Sequence, residues 1–219
     1  MIRRAFLTGL AAVGFGFAGF ALAPAKAADP FSQEAAGFVS NLGAEAISTI
    51  TAPNLTEGER ISRFRTLFVK GFDIPAIARF VLGRYWRTAT PDQQQEFMRL
   101  FENMVVQTYA QRFKEYSGQQ LKVTTAREEG EGRAIVSSQI LQPSGGQPVR
   151  IDWRVAKVGS TDKVYDVIVE GVSMSVTEQQ DFGAVIQRQG NGVDGLMAQL
   201  RDRYGPGAPA LAAEHGVVK

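Results

Sequence analysis

The chain has 219 residues, of which 24 are Lys or Arg, 22 are Asp or Glu, one is His and none is Cys. With 44% hydrophobic and 21% charged residues, it has the composition of a folded globular protein rather than of a disordered or fibrous one. The lack of Cys excludes disulfides, thiolate catalysis and Cys-ligated metals, and the single His excludes a His-rich metal site.

Residues 1–27 have the pattern of an export signal. Arg3 and Arg4 give a basic start, an uncharged stretch follows, and Ala25-Lys26-Ala27 offers small residues at the two positions that a signal peptidase reads. The pattern predicts a cleaved signal peptide. An uncleaved membrane anchor is the alternative, because the uncharged stretch approaches the ~20 residues that span a bilayer. Cleavage removes three basic residues and no acidic one, which changes the formal charge from +2 to −1 and argues against nucleic acid as a partner.

Helical periodicity dominates the next part of the chain, and residues 28–118 are predicted to be mainly helical. Asp29-Pro30 begins the first helix, and Thr56 with Glu59 forms a capping box for the second. A short third helix over residues 74–82 follows Asp73, and Thr90-Pro91 caps a long fourth helix.

The period changes to two between residues 121 and 174. Strands are predicted over 121–126, 133–141, 149–158 and 163–174, and the short connections make them an antiparallel four-stranded meander. In the last strand, strict alternation places Val164 with Ile168 on one side and Tyr165 with Val167 on the other. Residues 119–175 are therefore assigned to the sheet.

Two further helices are predicted over residues 177–189 and 193–204, with Gly190 as the C-cap of the first. Residues 205–219 have no usable period and are predicted to be a flexible tail. Helices, then strands, then helices around one antiparallel sheet indicate an α+β fold with one domain over residues 28–204.

Catalytic chemistry has little support in this sequence. The only imidazole, that of His215, falls in the predicted tail, and Ser173 lacks the second glycine of a nucleophile elbow. Asp166 and Glu170 are four residues apart on one strand, or roughly 13 Å, which is too far for a pair of glycosidase carboxylates. They are interpreted as the wet face of the sheet, with the mouth of a pocket as the alternative.

Three arginines, Arg79, Arg84 and Arg87, alternate with the aromatic residues Phe80, Tyr85 and Trp86. Such a stretch fits an anionic headgroup site, a docking surface, or arginine stems that simply cover core aromatics. The sequence also holds more apolar faces than one helix layer needs, because the fourth helix and both sides of the last strand are apolar. A filled core and a ligand cavity both fit this excess.

Several sequence blocks resemble the MlaC (toluene-tolerance) family, and the likeness runs from about residue 31 to 204. The blocks are 72–87 (FDIPAIARFVLGRYWR), Ala89-Thr90-Pro91, 108–113 (TYAQRF), 116–118 (YSG), 152–155 (DWRV) and 165–174 (YDVIVEGVSM). The resemblance implies a cone-shaped fold like that of nuclear transport factors, a twisted sheet with a helical subdomain and an apolar lipid cavity. The chain reads Glu178-Gln179-Gln180-Asp181 where the family is expected to carry a basic residue.

The resemblance further implies a periplasmic phospholipid carrier that maintains outer-membrane lipid asymmetry and has no enzymatic activity. Its expected partners are an outer-membrane lipoprotein complex and an inner-membrane ABC transporter, with phospholipid as cargo, no other cofactor and no metal, and a monomeric state. A carrier of hopanoid or other sterol-like lipid, and a small polar solute-binding protein of an ABC importer, are the alternatives; a lipid hydrolase is a third.

A pocket wall is predicted from the apolar residues of the fourth helix, its neighbours and the sheet. From the helices these residues are Val81, Trp86, Phe101, Val105 and Tyr109. From the sheet they are Trp153, Val155, Tyr165, Val167, Val169 and Met174.

Overall fold

The computed structural model describes residues 30–206. The predicted signal peptide, and all of the predicted tail beyond residue 206 including His215, lie outside the described residues. Six α-helices and five strands follow in the order α1 (Pro30–Thr51), α2 (Glu57–Gly71), α3 (Ile74–Leu82), α4 (Pro91–Gln111), β1 (Gln120–Gly130), β2 (Arg133–Leu141), β3 (Val149–Val158), β4 (Thr161–Val169), β5 (Val172–Ser173), α5 (Met174–Gln189) and α6 (Gly192–Tyr204). Two 3₁₀ segments, Gly83–Arg87 and Arg112–Glu115, continue α3 and α4.

The predicted starts of α2 and α4 are confirmed by their capping hydrogen bonds. The Thr56 hydroxyl accepts a hydrogen bond from the Glu59 amide (3.2 Å), and the Glu59 carboxylate accepts from the Thr56 amide (2.8 Å). The Thr56 hydroxyl also donates to the Glu59 carboxylate (2.7 Å), and this bond together with the one from the Thr56 amide lowers the pKa of Glu59, because both favour its charged form. Thr90 and Gln93 form the same reciprocal pair at α4. Each cap satisfies amides that the first helical turn leaves without a partner.

The strands form one antiparallel sheet in the order β1-β2-β3-β4-β5, which confirms the α+β meander. The sheet has five strands instead of four because the predicted strand over residues 163–174 is divided. Glu170 (φ 49°) and Gly171 (φ 85°) both have positive φ and make the tight turn between β4 and β5, as two-residue hairpins require. Met174 consequently begins α5 instead of ending a strand.

A β-bulge in β4 changes which residues share a face. Val155 pairs with Val164 while Arg154 pairs with Asp166, so Tyr165 is the extra residue. The bulge places Val164 on the same side as Val167 and Val155, so the prediction that Val164 lies with Ile168 and opposite Val167 is wrong. Strict alternation fails because period-two arithmetic holds only while the strand pairing is regular.

Two separate hydrophobic clusters stabilise the fold. The sheet cluster lies between α1 and one face of the sheet, where Ala35 and Val39 of α1 meet Val136, Val155 and Val164. The helical cluster is built by α2–α6 around fully buried Phe97. Phe72 packs against both clusters, and the next amide, that of Asp73, donates to the Val164 carbonyl (2.9 Å). The segment between α2 and α3 therefore fastens the helices to the edge of β4.

Candidate functional site

The predicted wall residues come from both sides of the boundary between the two clusters. Val81 and Phe101 are buried in the helical cluster, and Trp86 and Val105 pack against it. Val155 is buried in the sheet cluster, and Trp153 and Val167 pack against it. Tyr109, Val169 and Met174 belong to neither cluster and keep part of their surface exposed.

Tyr165 lies away from the other predicted sheet residues, on the polar face. Its hydroxyl donates to the Glu129 carboxylate (2.6 Å), and Arg154 lies within ion-pair distance of both Glu129 and Asp166. Desolvation and the bond to Glu129 raise the pKa of Tyr165 to about 12. The bulge turns Tyr165 toward these charges, so it has no place in an apolar wall with Val155 and Val167.

Asp166 is buried and anchors the start of α5, which corrects its assignment to a wet face. Its carboxylate accepts from the Ser173 hydroxyl (2.8 Å) and from the Ser175 amide (3.2 Å). The Ser173 oxygen in turn accepts from the Val176 amide (3.1 Å) as the helix N-cap. These contacts give Ser173 and Asp166 a structural role, because they hold the start of α5 beside the end of β4.

Helices α4 and α5 pack through aromatic rings in only part of their length. Phe182 of α5 meets Phe97 and Phe101 of α4 with ring centroids 5.6 and 6.4 Å apart. Thr108 follows Phe97 by 11 residues, about three helical turns, and so projects from the same side of α4. Phe97 is 0% exposed whereas Thr108 is exposed. The packed face of α4 therefore opens toward its C-terminal end.

The first turns of α5 lie near this end of α4, since the charge of Glu178 acts on Tyr109. Glu178 precedes Phe182 by one turn and shares its core-facing side. We call the region of Val105, Thr108 and Tyr109 on α4 and of Met174 and Glu178 on α5 the interior recess.

Two ionisable groups of the interior recess have shifted pKa values. Desolvation raises the pKa of Tyr109, and the charge of Glu178 raises it further, although the Tyr109 side chain is 44% exposed. Desolvation, with the charge of Asp181, also raises the pKa of Glu178 to about 7.

The periodicity argument missed Glu178, although the sequence did contain a signal. A carboxylate one turn before Phe182 interrupts an apolar helix stripe. A charge in such a position costs free energy unless it is paired, and such residues are often found at functional sites.

A second concave region lies on the outside of the helices. Arg79, Arg84, Arg87, Phe80 and Trp86 border a groove of about 760 Å³ that is completed by Pro75, Ala76, Gly83 and Gln179; we call it the arginine groove. Phe80 is 46% exposed, and the Arg84 guanidinium stacks on the Tyr85 ring (4.8 Å) and donates to its hydroxyl (2.8 Å). No carboxylate in residues 30–206 forms an ion pair with these three arginines. Trp86 thus borders the arginine groove while it packs on the helical cluster.

Within the described part of the chain, His, Asp and Glu residues form no group that could hold a metal ion. No helix of residues 30–206 has the length and hydrophobicity needed to cross a membrane. The interior recess offers apolar walls and one carboxyl group, an arrangement suited to holding a largely apolar ligand.

Comparison with known proteins gives consistent results. The family model described as MlaC protein matches residues 41–202. The intermembrane phospholipid transport system binding protein MlaC of Haemophilus influenzae is 28% identical over 124 residues, which cover 55% of this chain and 57% of that protein. The toluene tolerance protein ttg2D of Pseudomonas putida is 30% identical over 123 residues, with 56% and 57% covered. The aligned part thus spans little more than half the length of these relatives.

A solved structure has the same fold. The phospholipid-binding protein from Ralstonia solanacearum, determined in complex with a phospholipid, superposes with a TM-score of 0.68 at 28% identity. The superposition covers 78% of this chain and 96% of that one.

Proposed function

The chain belongs to the MlaC protein family, and we propose that it is a periplasmic carrier that binds phospholipid in the interior recess. The observation that carries the proposal is the change along one side of α4, from buried Phe97 and Phe101 to exposed Thr108. Protein interiors are normally filled, so a core-facing side that is left open at one end is suited to a ligand. The phospholipid in the neighbouring structure of the same fold supports this choice of ligand.

The energetics favour an enclosed site for such cargo. Each buried methylene contributes about 0.8 kcal/mol, so a chain of a dozen or more carbons needs a recess that can surround it. Val105, Tyr109 and Met174 border the recess, and Val169 lies at the end of β4 beside the start of α5. The carrier needs no catalytic group, since binding and release alone move the lipid.

The carrier hypothesis includes exchange with membrane-bound partners. We propose that the protein receives and delivers lipid between an outer-membrane lipoprotein complex and an inner-membrane ABC transporter, and so helps maintain outer-membrane lipid asymmetry. The words "intermembrane phospholipid transport system" in the description of the Haemophilus relative support this role.

Mass spectrometry of the purified protein tests the proposal directly. Protein isolated from the periplasm and extracted with organic solvent is expected to release phospholipid in near-stoichiometric amount. Protein that is empty, and that also fails to take lipid from phosphatidylglycerol vesicles, would contradict it. Recovery of hopanoid without phospholipid would contradict phospholipid as the cargo but would still support a lipid carrier.

A further inference from the structure

The arginine groove carries three cations on an exposed surface of the helices. Arg79 of α3 and the two arginines of the following 3₁₀ segment, Arg84 and Arg87, all border the groove and are all exposed. Among the described residues, no acidic side chain lines the groove, and no carboxylate forms an ion pair with these arginines. The rim of the groove is therefore positive, and residues 30–206 do not neutralise it.

The acidic residues of the neighbouring elements have other roles. Asp73 is the N-cap of α3 and accepts a hydrogen bond from the Ala76 amide (3.1 Å). Asp92 lies in the first turn of α4, where the helix dipole stabilises a negative charge. Asp181 follows Gln179 by two residues and so projects from a different side of α5. A counter-charge for the three arginines has to come from another molecule.

Side chains of α4 and α5 hold the backbone beneath the arginine groove in place. Gln94 of α4 donates to the Trp86 carbonyl (2.8 Å), and Gln179 of α5 donates to the Phe80 carbonyl (2.6 Å). Gly83 has a φ of 56°, and a Cβ added there would lie 3.2 Å from the side-chain nitrogen of Gln179, so this segment lies close against α5. The groove is thus formed before a partner binds, and a preformed site loses less conformational entropy on binding.

Aromatic side chains lie among the cations. Phe80 is 46% exposed, Trp86 borders the groove, and the Arg84 guanidinium stacks on the Tyr85 ring. Arginine and aromatic residues are enriched at the centres of protein interfaces. A guanidinium binds a carboxylate through two parallel hydrogen bonds, and a ring adds apolar contact. The groove therefore combines a means of binding carboxylates with a means of binding an apolar side chain.

The concave shape of the arginine groove favours one kind of anionic partner. Its volume of about 760 Å³ is in the range of sites that enclose a ligand. A bilayer surface, which is broad and flat, would touch the rim and leave this space unfilled. A segment of polypeptide can enter it and bring carboxylates to the rim.

We propose that the arginine groove is the docking surface for an acidic segment of a protein partner. Glu or Asp side chains of that segment pair with the three arginines, and an apolar side chain packs on Phe80 and Trp86. The inference rests on the proposed carrier function, because a carrier that exchanges lipid with membrane-bound complexes has to dock on them. It names the surface and the chemistry of the partner, and it leaves the interior recess to the lipid.

Nuclear magnetic resonance with a defined peptide tests the inference. The probe is a short synthetic peptide with Glu residues on both sides of a central Leu-Leu pair, titrated into isotope-labelled protein. The chain has two Trp residues, and their indole N–H signals report on different regions. The Trp86 signal should shift, whereas that of Trp153, which donates to the Ser138 hydroxyl in the sheet (2.9 Å), should not. The same peptide with Gln in place of Glu should shift neither signal.

Reversal of the charges in the groove tests the recognition itself. Replacement of all three groove arginines by Glu should weaken binding of the Glu peptide at least tenfold and should allow a peptide with Lys in place of Glu to bind. The matched control makes the same change in net charge at three exposed arginines outside the groove, Arg99, Arg127 and Arg203. At about 150 mM salt, where charges more than about 8 Å apart are screened, the control should bind within about twofold of the wild type.

Three outcomes would overturn the docking surface. They are a Trp86 signal that the Glu peptide does not move, equal binding of the Gln peptide, and an equal loss of binding in the two reversed variants. The first two need only the wild type, so they decide the question even if the reversed variants fail to fold. If phosphatidylglycerol vesicles sediment the wild type but not the groove variant, and the peptide does not bind, the surface would be one for a bilayer instead.

The lipid content of the same preparations separates the inference from the proposed function. Wild-type protein that holds phospholipid but does not bind the Glu peptide would overturn the docking surface and leave the carrier intact. Wild-type protein that binds the peptide at Trp86, but neither contains phospholipid nor accepts it from vesicles, would contradict the carrier and keep the site for an acidic segment.

Discussion

The interior recess and the arginine groove lie on different sides of α5, because its adjacent residues Glu178 and Gln179 project about 100° apart around the helix. Glu178 borders the recess, where desolvation raises its pKa. Gln179 borders the groove and donates to the Phe80 carbonyl (2.6 Å). The three arginines of the groove are exposed to water, whereas desolvation raises the pKa of the one carboxyl group in the recess. The comparison indicates that α5 has one desolvated side, which carries Glu178, and another side that faces exposed cations.

The largest expected loss of stability is on the side of α5 that packs against α4. Phe182→Ala removes a ring that is 5% exposed and meets Phe97 and Phe101 edge to face. We expect a loss of about 3–5 kcal/mol in the free energy of unfolding, measured by urea denaturation. Phe80→Ala in the groove is the matched control and should cost less than about 1 kcal/mol. Equal losses would show that the two sides of α5 are not packed differently.

The pH dependence of stability is expected to differ between the two sides as well. Desolvation, with the charge of Asp181, raises the pKa of Glu178 from its ordinary value of 4.5 to about 7, so the folded state binds more protons between these values. The stabilising effect of the neutral group is complete below pH 4.5 and is lost as the pH rises through 7.

Glu178→Gln should therefore stabilise the lipid-free protein at pH 8, by up to about 3 kcal/mol, and leave it unchanged near pH 4.5. Denaturation at both pH values checks this. If Glu178→Gln differed from the wild type by the same free energy of unfolding at both pH values, the carboxyl group of Glu178 would not be desolvated.

The helix starts could be predicted because they depend on local chemistry. The capping pairs of Thr56 with Glu59 and Thr90 with Gln93 involve residues three positions apart, and any structure that satisfies the first-turn amides uses them in the same way. The sheet order followed from short connections. The prediction of which β4 residues share a face failed because it depended on the pairing between strands. The bulge at Tyr165 arises from the register against β3, and no periodicity within β4 alone reveals it.

The interior recess was harder to predict than the fold for a related reason. An apolar stripe such as Phe97, Phe101, Val105 and Thr108 looks the same whether its end is covered or open. Only the packing of a distant helix, α5, determines that the first two residues are buried and that Thr108 is exposed. Contact between the predicted wall residues and a lipid stays a prediction for the helices and for the sheet.

A bulky side chain placed in the recess should block lipid. Thr108→Trp adds an aromatic ring to the open face of α4 and occupies space that acyl chains need, so we expect at least a tenfold loss of co-purified phospholipid by mass spectrometry. Each methylene kept out of the recess costs about 0.8 kcal/mol of binding. Ala76→Trp, which adds the same ring to the arginine groove, should leave the lipid content unchanged. Loss of lipid in both variants would remove the distinction between the two regions.

The smallest effect is expected from neutralising the arginine groove. Replacement of Arg79, Arg84 and Arg87 by Ser removes three cations that have no ion-pair partner in residues 30–206. Exposed side chains of this kind change stability by about 0.5 kcal/mol or less each. The triple variant should therefore unfold near the wild-type urea concentration and retain its lipid, because the proposed lipid site, the interior recess, lies on a different side of α5. A large loss of lipid would instead place the anionic headgroup in the groove, and α5 would then lie beneath the ligand rather than between it and the outer surface.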